Sequence, residues 1–123
     1  MEPQFPLLRK SLSKTDATTH TLTGTNEFVD SLIAIVGRPA INLNLRPGHN
    51  VQFRVYDVDD GRIWTFTCKS RQEGPYLKPY IRGEWGAFAQ AKGLQAGDIL
   101  MFYRSPHILA HISDIIVVIF RAP

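Results

Sequence analysis

Between residues 51 and 69 the chain alternates. Val51, Phe53 and Val55 interleave with Gln52, Arg54 and Tyr56, and Trp64, Phe66 and Cys68 interleave with Thr65, Thr67 and Lys69. A period of two puts one set of side chains on each face of a strand, one buried and one wet. Asp59-Asp60-Gly61 lies between the two runs, and glycine accepts the positive φ of a tight turn cheaply, so the pattern predicts a hairpin. Shorter apolar runs predict further strands over 5–12, 21–23, 41–45, 76–81, 99–103 and 115–121. Pro79 cannot donate to a ladder, which makes the 76–81 strand an edge or a bulged one. The unbroken apolar run in 115–121 implies burial on both faces or closure of a barrel.

Two segments follow the helical period instead. After Thr25 or Asn26 as cap and Glu27 in the first turn, Phe28, Leu32, Ile35 and Val36 fall on one face, with Gly37 as the stop and Pro39 beyond it. Over 84–92, Trp85, Phe88 and Ala89 share a face and Gly93 ends the helix. The polar stretches 13–20 and 69–75 read as loops, because Ser, Thr and Asp side chains bond nearby backbone and favour turns. The sum is about seven short strands and two short helices in a mostly β fold, a sandwich or a barrel.

Composition narrows this. A chain of 123 residues is one domain's worth, and 44% hydrophobic with 20% charged residues describes a globular chain with a real core. The single cysteine, Cys68, excludes an internal disulfide framework and a cysteine-based zinc finger, and suits a reducing compartment. Fourteen basic against eleven acidic residues leave net +3, a mild excess that permits a nucleic-acid partner without requiring one. The start carries no basic segment followed by an apolar run. The longest apolar run, 115–120, has six residues, where a membrane span takes roughly 20. A soluble protein with no membrane partner is the expectation.

No motif for catalysis emerges. Gly83 and Gly86 lack the lysine and serine of a phosphate loop. His107, His111 and Asp114 have metal-ligand spacing only on a helix, and the segment follows Pro106 and precedes a strand. Cys68 alternates with core residues and reads as a small buried hydrophobe. Asp57, Asp59 and Asp60 read as turn chemistry, since the strands close at Gly61 and leave no room for a calcium loop. Trp64 and Trp85 both fall in a buried phase. The expectation is therefore no enzyme, no metal and no cofactor. What remains is the two polar loops. One offers Lys14, Thr15, Thr18, Thr19 and His20, the other Lys69, Ser70, Arg71 and Gln72. These residue types bond phosphates and base edges, and by composition alone they serve equally as solvated turns.

Three segments taken together resemble the plant B-three DNA-binding domain found in auxin response factors and their relatives. LLRKSLSKTDATTH (7–20) is similar to that family's opening strand, its Ser/Thr-x-x-Asp turn and its Ser/Thr-rich loop. YDVDDGRIWTFTC (56–68) is similar to its acidic turn and Trp-x-Phe strand. GEWGAFAQAKGLQAGDILMFYRS (83–105) carries its tryptophan, a phenylalanine three residues on, Leu-x-x-Gly-Asp and an aromatic strand. The resemblance spans about residues 5–121 and implies a single domain, an open seven-stranded pseudobarrel with two short helices.

It also implies sequence-specific binding of double-stranded DNA in the major groove by a nuclear transcription factor, with other transcriptional regulators as further partners. The family grips the groove with two arms, here 14–20 and 69–72. Lys14, Thr18 and Lys69 would then contact phosphates, and His20, Arg71 and Gln72 bases, with Ser70 in the same arm. The chain departs from the family where Thr21-Leu22-Thr23-Gly24 replaces a basic strand, at Glu73 in the second arm, and over 33–45. Weak basicity and Glu73 keep a second reading open, a B-three fold serving as a protein-interaction module with weak or no DNA binding.

Overall fold

The hairpin predicted from alternation is the centre of the molecule. In a computed structural model, which describes residues 6–36, 50–73, 75–106, 109 and 111–123, strand β3 (Asn50–Asp57) pairs antiparallel with β4 (Ile63–Glu73) from Asn50↔Lys69 to Tyr56↔Ile63. The turn closes as expected, with Gly61 at φ 74° and its N–H donating to the Asp57 carbonyl at 2.8 Å. The other elements are β1 (Leu8–Ser11), α1 (Lys14–Thr18), β2 (Leu22–Thr23), α2 (Asn26–Val36), β5 (Tyr76–Gly83), α3 (Trp85–Lys92), β6 (Ile99–Arg104) and β7 (Ile115–Phe120). They form a curled seven-stranded sheet in the order β1-β6-β7-β3-β4-β5-β2, with β1 and β2 as its two edges. The β3–β7 pair is parallel and the other pairs are antiparallel. Among the described residues no helix is long and apolar enough to cross a membrane.

Several expectations change. The strand expected at 41–45, and Gly37 and Pro39 after α2, lie outside the described residues. A third helix, α1, occupies what read as a loop. Ser13 caps it reciprocally: the Asp16 N–H donates to Ser13 Oγ at 3.1 Å and the Ser13 N–H donates to Asp16 Oδ2 at 2.9 Å. The second polar loop is largely strand, because β5 supplies a partner for every residue from Phe66 to Glu73. The Pro79 carbonyl accepts from Gly24 N–H at 3.1 Å, so its nitrogen faces the short edge strand β2 and the β4–β5 ladder loses nothing. Finally, β7 is internal, and its buried Ile115 and Val117 alternate with half-buried Ile116 and Val118.

The inner face of the sheet is aromatic. Phe66 of β4 is the hub, with ring centroids 5.9 Å from Phe53, 5.8 Å from Trp85, 5.6 Å from Phe88 and 6.2 Å from Phe102. Most of these meet edge to face, the arrangement that ring quadrupoles favour. Phe28 brings α2 against Phe53 and Phe102 at the other end of the core. Cys68 is buried in the same layer, and desolvation pushes its thiol pKa up to about 12, so it is an inert core residue.

The edges β1 and β2 do not pair by backbone. They are tied through one ammonium. Lys10 Nζ of β1 lies 2.9 Å from Asp16 Oδ2, donates to the Thr23 carbonyl of β2 at 3.0 Å and also touches the Thr23 hydroxyl. Asp16 is almost fully buried. Burial alone would raise its pKa, but the Ser13 N–H, Lys10 and the Ser13 hydroxyl together hold it below the ordinary carboxylate value.

Two outcomes follow. Because the folded-state pKa of Asp16 lies below its unfolded value near ~3.9, its stabilisation is complete above about pH 5 and drains as pH falls through the folded value. The urea midpoint of the wild type should therefore fall on acidification, and Asp16→Ala should flatten that slope while costing about 3 kcal/mol at neutral pH. Gly83, at φ +73°, turns β5 into α3, and a Cβ there would lie 3.0 Å from the Thr65 carbonyl oxygen and the Thr67 nitrogen. Gly83→Ala should cost about 1–3 kcal/mol in the same measurement; an unchanged midpoint would contradict the strain argument.

Candidate nucleic-acid interface

The wet face of the β3–β4–β5 sheet is built by strict alternation. Directly opposed residues share a face, so the register assembles Arg54 beside Thr65, Gln52 beside Thr67 and Arg82, Asn50 beside Lys69 and Tyr80, and Arg71 beside Lys78. Arg54, Lys69, Arg71, Lys78 and Arg82 thus project from one surface. Two acidic groups near it bond the backbone: Glu84 Oε1 accepts from Thr65 N–H at 2.7 Å, and Asp114 Oδ2 accepts from Arg54 N–H at 2.8 Å and lies 3.9 Å from Arg54 Nε.

His20, exposed at the end of the first arm, closes one side of this surface. With Asn50, Gln52, Thr67, Lys69, Arg82 and Gly83 it lines an open cleft of about 480 Å³ that has no carboxylate among those residues. A second cleft of about 590 Å³ continues past Tyr80 and is lined by Arg71, Lys78, Thr21 and Thr23, with Glu27 at the start of α2. Arg71 stands over the Tyr80 ring, 5.9 Å from its centroid. His20, Lys69 and Arg71 therefore belong to one side of the protein, as two arms gripping a common ligand require.

The first arm is held rigidly. Trp85 Nε1 donates to the Asp16 carbonyl at 2.9 Å, which pins α1 to α3. The Thr19 hydroxyl donates to the Thr15 carbonyl at 2.7 Å and accepts from the Thr21 N–H at 3.3 Å, so the backbone on both sides of His20 is fixed. Lys14 is exposed on α1 and free to reach outward. Thr18 is exposed too, but its hydroxyl already donates to the Lys14 carbonyl at 2.7 Å, and a phosphate contact would require it to release that bond.

The second arm needs correction. Ser70 does not accompany its neighbours. In a strand it points to the opposite face from Lys69 and Arg71, opposes Pro79 and is 7% exposed, so it belongs to the inner layer with Cys68. Gln72 stands opposite Leu77 near the hairpin tip, and its side chain lies outside the described residues.

Sequence reasoning missed Asn50, Gln52, Thr67, Lys78, Tyr80 and Arg82. The alternation did mark Gln52 and Thr67 as wet. Nothing in it said that the wet face stands beside the first arm, and the β5 strand was expected to end before Arg82.

The other charges are gathered elsewhere. Lys92 at the end of α3 holds the β3–β4 turn, 2.8 Å from Asp57, 3.0 Å from Asp59 and 3.7 Å from Asp60. Desolvation would lower the lysine pKa, but these carboxylates raise it above the ordinary value. Trp64 and Trp85 are core, as expected, and Arg62 stacks over Trp64 at 4.2 Å. His107 lies outside the described residues, and His111 is exposed in the turn before β7.

No family model matches the chain, and no curated protein sequence matches it. Solved structures do. The chain is similar to FUS3 of Arabidopsis, in a structure of its complex with DNA, with a TM-score of 0.70 and 19% identity over 97% of this chain and 100% of that one. It is similar to the Arabidopsis thaliana transcription factor LEC2, also in a complex with DNA, with a TM-score of 0.66 and 16% identity over 98% of this chain and 97% of that one. A hypothetical protein of Arabidopsis thaliana gives a TM-score of 0.53 and 17% identity over 93% and 88%. The mostly β, seven-stranded pseudobarrel expected from the sequence is thus the fold of this chain, shared with these three proteins, with three short helices among its described residues where the sequence led to two.

Proposed function

We propose that this chain binds double-stranded DNA sequence-specifically, as the DNA-binding domain of a plant transcription factor acting in the nucleus. The observation that carries the reading is the convergence of His20, Lys69 and Arg82 on one cleft whose lining residues carry no carboxylate, with Arg71 on the same face of β4. Two of the proteins that share the fold are structures of DNA complexes. A mild net charge is no objection, because five cations share one face of three neighbouring strands while Asp57, Asp59 and Asp60 are gathered on Lys92.

Roles follow from chemistry and reach. Lys69, Arg82 and Lys14 are the phosphate contacts, since each carries a cation that solvent reaches. Arg71 is the base reader of the second arm, because a guanidinium makes paired bonds to guanine in the major groove. His20 reads a base from the first arm. The DNA complexes among the proteins that share the fold favour this reading over a B-three fold used only to bind proteins.

Neutralising about three phosphates predicts that log affinity falls with log salt at a slope of about −3. Arg71→Ala should cost about 1–3 kcal/mol and relax the preferred sequence at one position. Lys69→Ala should weaken all duplexes alike and reduce the slope by about 1. Selection from a random-duplex pool followed by anisotropy titration at several salt concentrations measures all three. Affinity insensitive to both salt and Arg71→Ala would remove the assignment.

A further inference from the structure

Gly86 sits in the first turn of α3, where glycine is a poor choice. Its φ is not positive, unlike those of Gly61, Gly83, Gly93 and Gly97, so no backbone conformation demands it. Alanine is the better helix former at such a site. What glycine provides is space. A Cβ built there would overlap Nδ1 of His20 and would lie 3.0 Å from Cε1 and 3.1 Å from Cγ of the same ring. The His20 imidazole therefore lies directly on the bare backbone of Gly86.

We infer that Gly86 is a positioning residue for His20: the missing side chain is the seat that holds the imidazole at the mouth of the cleft, in the pose in which it meets a base. This inference rests on the DNA-binding reading above. The neighbouring residue supports it. Trp85 pins the backbone of the first arm through the Asp16 carbonyl, at 2.9 Å. Consecutive residues of α3 thus fix the two things a reading side chain needs, its backbone origin and its ring orientation. The ring in this seat also lines the cleft with Lys69 and Arg82, so moving it changes what the cleft presents to a ligand. His20 is exposed, so a side chain at position 86 would displace the ring into solvent without disturbing the core.

The test is a cycle of Gly86→Ala, His20→Ala and the double variant, with thermal unfolding, NMR of the free protein and titration of a selected duplex. In the wild type, nuclear Overhauser contacts between the Gly86 α-protons and the His20 ring protons are expected. Gly86→Ala should unfold at the same or a higher temperature and shift the His20 ring resonances. It should bind the duplex about tenfold more weakly, the order of one lost base contact. In the His20→Ala background the same change should alter affinity less than about twofold, since the pair acts as one unit. Wild-type affinity in Gly86→Ala, an equal loss in both backgrounds, or absence of the ring contact in the wild type would overturn the inference while leaving DNA binding in place. A wild type that keeps the ring contact but binds no selected duplex would instead remove the functional reading, and this inference with it.

Discussion

One buried charge pair organises both the barrel and the arm. An open sheet has two edges, and each edge is a row of unpaired backbone groups that must be managed. Here the Lys10 ammonium spans from β1 to the Thr23 carbonyl on β2, and Asp16 neutralises it from α1. A pair whose carboxylate is buried offers little net stability against an apolar alternative, since desolvation offsets most of its attraction. Its value is geometric. An ion pair with this many hydrogen bonds has one arrangement, and that arrangement places α1, β2 and the segment carrying His20 relative to the sheet. The Trp85 indole bonded to the Asp16 carbonyl extends the same constraint into the aromatic core. The first arm is thus an extension of the core rather than a loop attached to it.

The arrangement of charge matters more here than its sum. Net +3 is unremarkable for a chain of this length. The fold sorts the charges, with Asp57, Asp59 and Asp60 gathered on Lys92 at the β3–β4 turn and Asp98 buried against Arg121. Arg54, Lys69, Arg71, Lys78 and Arg82 share the polar face of three neighbouring strands. A surface on which one sign of charge predominates develops a local potential that the net charge does not reveal.

The sequence was legible where a period or a stop signal left a trace. The β3–β4 hairpin, α2, α3, β6 and β7 lie where alternation, caps and glycines put them. The buried tryptophans and Cys68 follow from the same phase. The helix α1 escaped because five residues are too few to show a helical period, although the Ser13 and Asp16 spacing that caps it is visible. The strand β4 ran on to Glu73 because a polar stretch can be strand when a neighbour completes its ladder and one face is wet. Misreading that stretch as a loop is what grouped Ser70 with Lys69 and Arg71; pleating separates them. In the site, His20, Lys69 and Arg71 came from resemblance to a family, whereas Gln52, Thr67 and Arg82 look like any solvated strand face until the fold sets them beside His20. Gly86 reads in the sequence as a flaw in a helix, and only the ring resting on it gives it a purpose.

The parallel union of β7 with β3 has a consequence for how the molecule is made. Without β7 the sheet falls into two fragments, β1 with β6 and β3 with β4, β5 and β2, because β7 is the strand that both fragments touch. A ribosome releases residues 115–120 after every other strand of the sheet, so a nascent chain carries two half-sheets with open, hydrogen-bond-hungry margins until that last strand is inserted between them. Pairings of such long sequence separation form slowly. Synthesis therefore leaves an interval in which β3 and β6 are available to wrong partners.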